Sequence, residues 1–142
     1  MIRHFKITLV LFIGLLVNPL LLNADQGLIE PKKGSVYFPL LEGLKLLAVG
    51  DIEQWISSYC DGIRLCSNAT EINDIRNHRA ELQEKIATSC LKNGGESLHI
   101  DHVVGNPEID IGVKIYLICD PKGPPRFYSL RRTVDYWFFI SL

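Results

Sequence analysis

The sequence predicts an α+β domain in which N-terminal helices pack on a curved antiparallel sheet of three or four strands. Two observations carry that expectation. Apolar residues recur every three or four positions between Phe38 and Asn93, and the period changes to two after Gly95. Composition agrees: 142 residues that are 47% hydrophobic, with a net charge of −1, suit one globular domain and exclude a collagen-like, coiled-coil or wholly disordered chain. The near-neutral balance also leaves no basic footprint for nucleic acid.

The first 24 residues read as a secretory signal peptide. Arg3, His4 and Lys6 precede an uncharged, mostly apolar run, Ile7–Val17, and Ala24 offers a small residue at the cut. Retention as a membrane anchor is the rival, but Ile7–Leu22 is 16 residues, contains Pro19, and falls short of the roughly 20 needed to cross a bilayer. Removing Met1–Ala24 takes Arg3 and Lys6 and no acid, leaving 13 Lys and Arg against 16 Asp and Glu, a net of −3. Residues 25–36 carry Pro31 and Gly34 and read as a flexible lead-in, and 37–142 as a single domain.

In that domain, Pro39 suits a first helical turn, and Leu40, Leu41, Leu44, Leu47 and Ala48 form one apolar stripe. Gly50 stops the helix. Asp51 is placed to cap a second, shorter one carrying Ile52, Trp55, Ile56 and Tyr59. Asp61–Ala69 is a loop, and Thr70 is the expected cap of a long helix from Glu71 to about Asn93, with Ile72, Ile75, Leu82, Ile86 and Cys90 inward and Glu81 paired with Lys85 outside. Gly94-Gly95 ends it.

Alternation then begins. In Glu96–Val104, Leu98, Ile100, His102 and Val104 share one face, opposite Ser97, His99, Asp101 and Val103. Gly105–Glu108 is a turn, and Ile109–Cys119 alternates Ile109, Ile111, Val113, Ile115, Leu117 and Cys119 against polar neighbours. The proline-rich Asp120–Pro125 is a second turn. Arg126–Leu142 divides at a bend near Thr133–Tyr136 into two strands, the last being Trp137–Leu142.

All four cysteines, Cys60, Cys66, Cys90 and Cys119, follow the signal peptide, and an even count in an oxidising compartment supports two disulfides. Three pairings are possible; Cys60–Cys66 with Cys90–Cys119 is the most economical. No close Cys/His spacing suggests a metal, and no motif demands a cofactor.

The helical pair joined by Ala48-Val49-Gly50-Asp51, the later helix, the meandering strands and the aromatic end Asp135-Tyr136-Trp137-Phe138-Phe139-Ile140 together resemble the NTF2-like (cystatin-like cone) superfamily, notably its small exported lumazine-binding-like and DUF4878-type proteins. The resemblance spans Tyr37–Leu142. It implies a cone-like sheet curled around the long helix, with a pocket at the open end. Because such folds host isomerases, dehydratases, ligand binders and scaffolds, the fold does not choose the function.

His99-Ile100-Asp101-His102 is the one cluster of catalytic residue types. On a regular strand His99 and Asp101 face solvent, while His102 points into the concave side, where it is the weak candidate for a general base. Trp55, Tyr59, His102 and Trp137 are the candidate pocket residues. Arg131-Arg132 is a short basic pair suited to an acidic partner, and Asn68-Ala69-Thr70 matches a glycosylation acceptor that matters only in a eukaryotic source. With no complete catalytic set, the expectation is a secreted or periplasmic, non-enzymatic protein that binds a small ligand or a protein partner through its sheet or pocket, without a cofactor and away from the membrane once the signal is cleaved. The alternatives are an isomerase- or hydrolase-type enzyme using His102, and an envelope-complex component held by a retained N-terminal helix.

Overall fold

The computed structural model describes residues 27–142. The expected signal peptide, Met1–Ala24, lies outside the described residues, as do the side chains of Lys85 and Ile86. The chain runs β1 (Leu28–Ile29), α1 (Tyr37–Val49), α2 (Ile52–Tyr59), α3 (Ala69–Asn77), a helical segment α4 over 79–90, then β2 (Leu91–Lys92), β3 (Ser97–Val104), β4 (Gly112–Leu117), β5 (Arg126–Thr133) and β6 (Tyr136–Phe139). This is an α+β fold: four helices pack against an antiparallel sheet that does not close.

The sheet has six strands rather than three or four. Its path is β1-β3-β4-β5-β6, with β2 also paired to β3. Both extra strands are two residues long, below what alternation can reveal. One lies in the stretch expected as a flexible lead-in. Leu28 pairs with His99 and Ile29 with Leu98, and Val36 just before α1 is buried.

The first two helices follow the expected chemistry. Leu40, Leu41, Leu44 and Leu47 are buried along α1. Gly50 takes φ 76°, and the N–H groups of Gly50 and Asp51 reach back to the carbonyls of Leu47 and Leu46, a Schellman ending that needs the left-handed residue. The Asp51 carboxylate then accepts from the Gln54 N–H at 3.3 Å and caps α2.

The third helix differs from expectation. Asn68, not Thr70, is its cap, accepting from the Glu71 N–H at 3.0 Å. The helix does not continue to Asn93. It breaks at Asn77-His78, both weak helix formers, and resumes at Arg79. A π-helical turn over Leu82–Ala87 follows, in which the Thr88 hydroxyl donates to the Gln83 carbonyl at 2.6 Å. A π turn advances the register by one residue, so Ala87 reaches the core with no exposed surface between Leu82 and Cys90. The segment ends at Cys90, and Gly94-Gly95 turns the β2–β3 hairpin instead of stopping a helix.

Both disulfides adopt the most economical pairing, Cys60–Cys66 and Cys90–Cys119. The first fences the α2–α3 loop. The second fastens the end of α4 to the residue two beyond β4. Two cross-links in the described part are consistent with folding in an oxidising compartment. Among the described residues, no helix is long and apolar enough to cross a membrane.

The core lies between the sheet and α1, α2 and α4. Trp55 meets Phe139 edge-on at 5.5 Å between ring centroids, and Phe139 meets Tyr128 edge-on at 6.0 Å. Such pairs add about 0.5–1.5 kcal/mol each beyond the area they bury. Gly43 lets α1 approach this cluster: a Cβ there would sit 2.5 Å from the Phe139 ring. Across the inner face, Val103, Ile115 and Tyr128 form one row, and Val113 and Leu130 another that ends at Phe139.

Candidate functional site

At one end of the sheet, β3 and β5 finish while β4 and β6 begin. The 105–111 loop and the Val134-Asp135 turn therefore project side by side, joined where the Arg132 N–H donates to the Ile111 carbonyl at 2.7 Å. The loop owes its shape to its polar residues. Asp110 accepts from the Asn106 N–H at 2.7 Å, and the Asn106 amide oxygen accepts from the Glu108 N–H at 2.9 Å. Strand β4 consequently starts at Gly112, and Ile109 and Ile111, expected inside, are exposed.

Between these turns and the start of α1 lies a cleft of about 1130 Å³. Tyr37, Phe38 and Pro39 line it from α1, Tyr59 from the end of α2, and Tyr136 and Trp137 from β6. Lys33, Glu108, Arg132 and Asp135 supply charge of both signs. Arg132 lies over the Trp137 ring, its guanidinium carbon 5.5 Å from the centroid, so the wall offers an apolar face with a cation laid on it. Burial pushes the Tyr37 phenol above its ordinary pKa; burial does the same for Tyr59, helped by the nearby Glu42 charge. Both stay protonated at neutral pH and can donate as well as accept. Among the described residues that line the cleft there is no histidine and no cysteine.

The four candidate pocket residues separate. Tyr59 and Trp137 line the cleft. Trp55 does not: it is fully buried against Phe139, and its indole N–H has no hydrogen-bond partner among the described residues. His102 is elsewhere again. Ile100 pairs with Leu117 but His102 pairs with Tyr116, so β3 carries one extra residue, Asp101, in a bulge. That residue inverts the alternation. Val103, opposite fully buried Ile115, turns toward the core, and His102 and Val104 turn outward, about half exposed.

The expected concave placement of His102 is therefore corrected. The bulge brings Asp101 beside it, with Oδ2 2.6 Å from the His102 Nδ1, and the imidazole stacks on Tyr116 at 4.1 Å. His102 thus has an acid partner, but the pair stands on the open outer face and contributes nothing to the cleft. His99 is partly buried in the strand paired with Leu28. Among the described residues, no group of three or more His, Cys, Asp or Glu side chains is placed to hold a metal ion.

The basic pair Arg131-Arg132 has two internal uses. Arg131 donates to buried Asp61 at 2.7 Å, and Arg132 covers Trp137. The residues missing from the expected pocket, Tyr37 and Arg132, sit at the ends of elements where periodicity carries no signal. Their clue is topological: a helix start and a hairpin turn that meet at one end of the sheet.

No family model matches this chain, and no curated protein or solved structure matches it.

Proposed function

We propose that this chain is a small exported, non-enzymatic binding protein whose cleft takes a ligand with a planar apolar body and an acidic end. The observation that carries the reading is the convergence of Tyr37, Tyr59 and Trp137 with Arg132 around one cleft. Aromatic walls with a few oriented polar groups are what ligand sites are made of. The described residues of the cleft support the same reading: its two carboxylates, Glu108 and Asp135, are on hairpin turns, and the two acid–histidine pairs, Asp101–His102 on the outer face and Asp74–His78 at the end of α3, lie outside it. Two disulfides and the basic-then-apolar start of the sequence support export to a secreted or periplasmic location. Helices that precede the β3–β6 antiparallel meander, with a cleft at one end of the sheet, support the NTF2-like reading of the fold.

The test is titration with 8-anilinonaphthalene sulfonate, a planar apolar body with one negative charge. Saturable fluorescence enhancement is expected, with affinity reduced roughly tenfold in Arg132→Ala and in Tyr59→Ala, the loss of one charge-assisted or stacking contact. Dye binding that both variants leave unchanged, or catalytic turnover abolished by changing one polar cleft residue, overturns the proposal.

A further inference from the structure

Trp137 carries main-chain groups that the sheet does not use. Strand β6 ends the sheet path, with β5 on one side. The Arg132 N–H donates to the Ile111 carbonyl, so the main chain of Arg132 faces β4, and its pairing with Trp137 is of the non-hydrogen-bonded kind. The Trp137 N–H and C=O therefore point away from β5, to the side where Cys60 runs beside Phe139. The Phe139 C=O points the same way and is taken by the Asp61 N–H at 2.9 Å. That pairing stops there, because Tyr59 and the residues before it belong to α2. Among the described residues no group pairs with the Trp137 N–H or C=O. Yet Trp137 is only 9% exposed, and it lines the cleft with Ser58 and Tyr59. Main-chain groups in such a position need a partner, and the cleft is where one can enter.

The lining charges, Lys33, Arg132, Glu108 and Asp135, are of both signs and do not by themselves select an occupant. A donor and an acceptor on one residue are more selective, because they match the N–H and C=O of one amino-acid residue in extended form. We propose, resting on the ligand reading above, that the cleft takes an N-acylated aromatic amino acid: the planar body is its side chain and the acidic end its carboxylate. The amide N–H of the ligand would donate to the Trp137 C=O. A carboxylate oxygen would accept from the Trp137 N–H, with the Arg132 guanidinium over the Trp137 ring as counter-charge. A neutral amide suits a site this buried, whereas a free ammonium group would have to shed its water there. Cys60 closes the edge at Phe139, so the pairing is one residue long.

Displacement of bound 8-anilinonaphthalene sulfonate by N-acetylphenylalanine tests the assignment. N-acetylphenylalanine should displace the dye. N-acetyl-N-methylphenylalanine and 3-phenylpropionate, which both lack the N–H, should need about tenfold higher concentrations, the cost of leaving the Trp137 C=O unpaired. In a ¹H–¹⁵N spectrum, the main-chain amide of Trp137 should shift and saturate with N-acetylphenylalanine. Equal potency of the three compounds overturns the proposal and leaves the ligand reading in place. So does dye that N-acetylphenylalanine fails to displace, or a Trp137 main-chain amide that stays still at saturation, its partner then being water. If neither the dye nor N-acetylphenylalanine binds, the ligand reading falls and this assignment with it.

Discussion

Asp61 and Arg131 are 70 residues apart in sequence, yet the Asp61 carboxylate, 2% exposed, accepts from the Arg131 Nε at 2.7 Å. The other carboxylate oxygen accepts from the Ile63 N–H at 2.7 Å, and the Asp61 carbonyl accepts from the Cys66 N–H at 2.8 Å. The Asp61 N–H donates to the Phe139 carbonyl. One residue thus holds the Cys60–Cys66 loop, the end of β6 and the middle of β5 together.

Burial pushes the Asp61 pKa upward, but the Ile63 N–H and the Arg131 guanidinium together hold it below the ordinary carboxylate value. A depressed folded pKa gives stability that is complete above the unfolded value of about 3.9 and is lost as the pH falls through the folded one. Asp61→Asn should therefore cost about 3 kcal/mol at neutral pH, the scale for breaking a buried pair. Urea unfolding of wild type and variant at pH 7 and again near pH 2 checks this, with the gap narrowing at the lower pH.

The two disulfides should contribute unequally. In the chain-entropy account, the 29-residue separation of Cys90–Cys119 is worth about 3–4 kcal/mol and the six-residue separation of Cys60–Cys66 about 2. Cys90→Ala/Cys119→Ala should lower the urea midpoint more than Cys60→Ala/Cys66→Ala. Fully buried Cys90 also lies 3.4 Å from the Tyr128 hydroxyl, so removing its sulfur leaves that phenol without its one sulfur contact and widens the difference.

Gly43→Ala tests the approach of α1 to the sheet. Alanine improves helix propensity by about 1 kcal/mol, but its methyl would meet the Phe139 ring at 2.5 Å. Overpacking of this kind costs about 1–3 kcal/mol, so the net effect should be destabilising. A thermal melt of Gly43→Ala alone and with Phe139→Leu checks it: the smaller side chain should recover part of the loss.

How far the fold could be read in advance depends on how regular each element is. Strand β4 was legible at its centre because Val113, Ile115 and Leu117 sit mid-sheet with one face buried. The stripe Leu40-Leu41-Leu44-Leu47, the Asp51 cap and the cysteine pairing were legible for similar local reasons. Irregularities were not. One inserted residue at Asp101 moved His102 to the other face, and one π turn brought Ala87 into the core between Leu82 and Cys90. Neither leaves a periodic trace, because each is set by what the neighbouring element pairs with. Half of the candidate pocket was readable for the same reason. Tyr59 and Trp137 reach the cleft, but Trp55, on the same apolar stripe as Tyr59, ends in the core.

That division between the two tryptophans provides the most direct check on the binding proposal. The chain contains only Trp55 and Trp137, one sealed against Phe139 and the other walling the cleft. In a ¹H–¹⁵N spectrum titrated with 8-anilinonaphthalene sulfonate, the Trp137 indole cross-peak should move and saturate while the Trp55 cross-peak stays in place. A titration that leaves Trp137 still and instead perturbs the amides of His102, Tyr116 and Phe127 on the outer face would contradict the account.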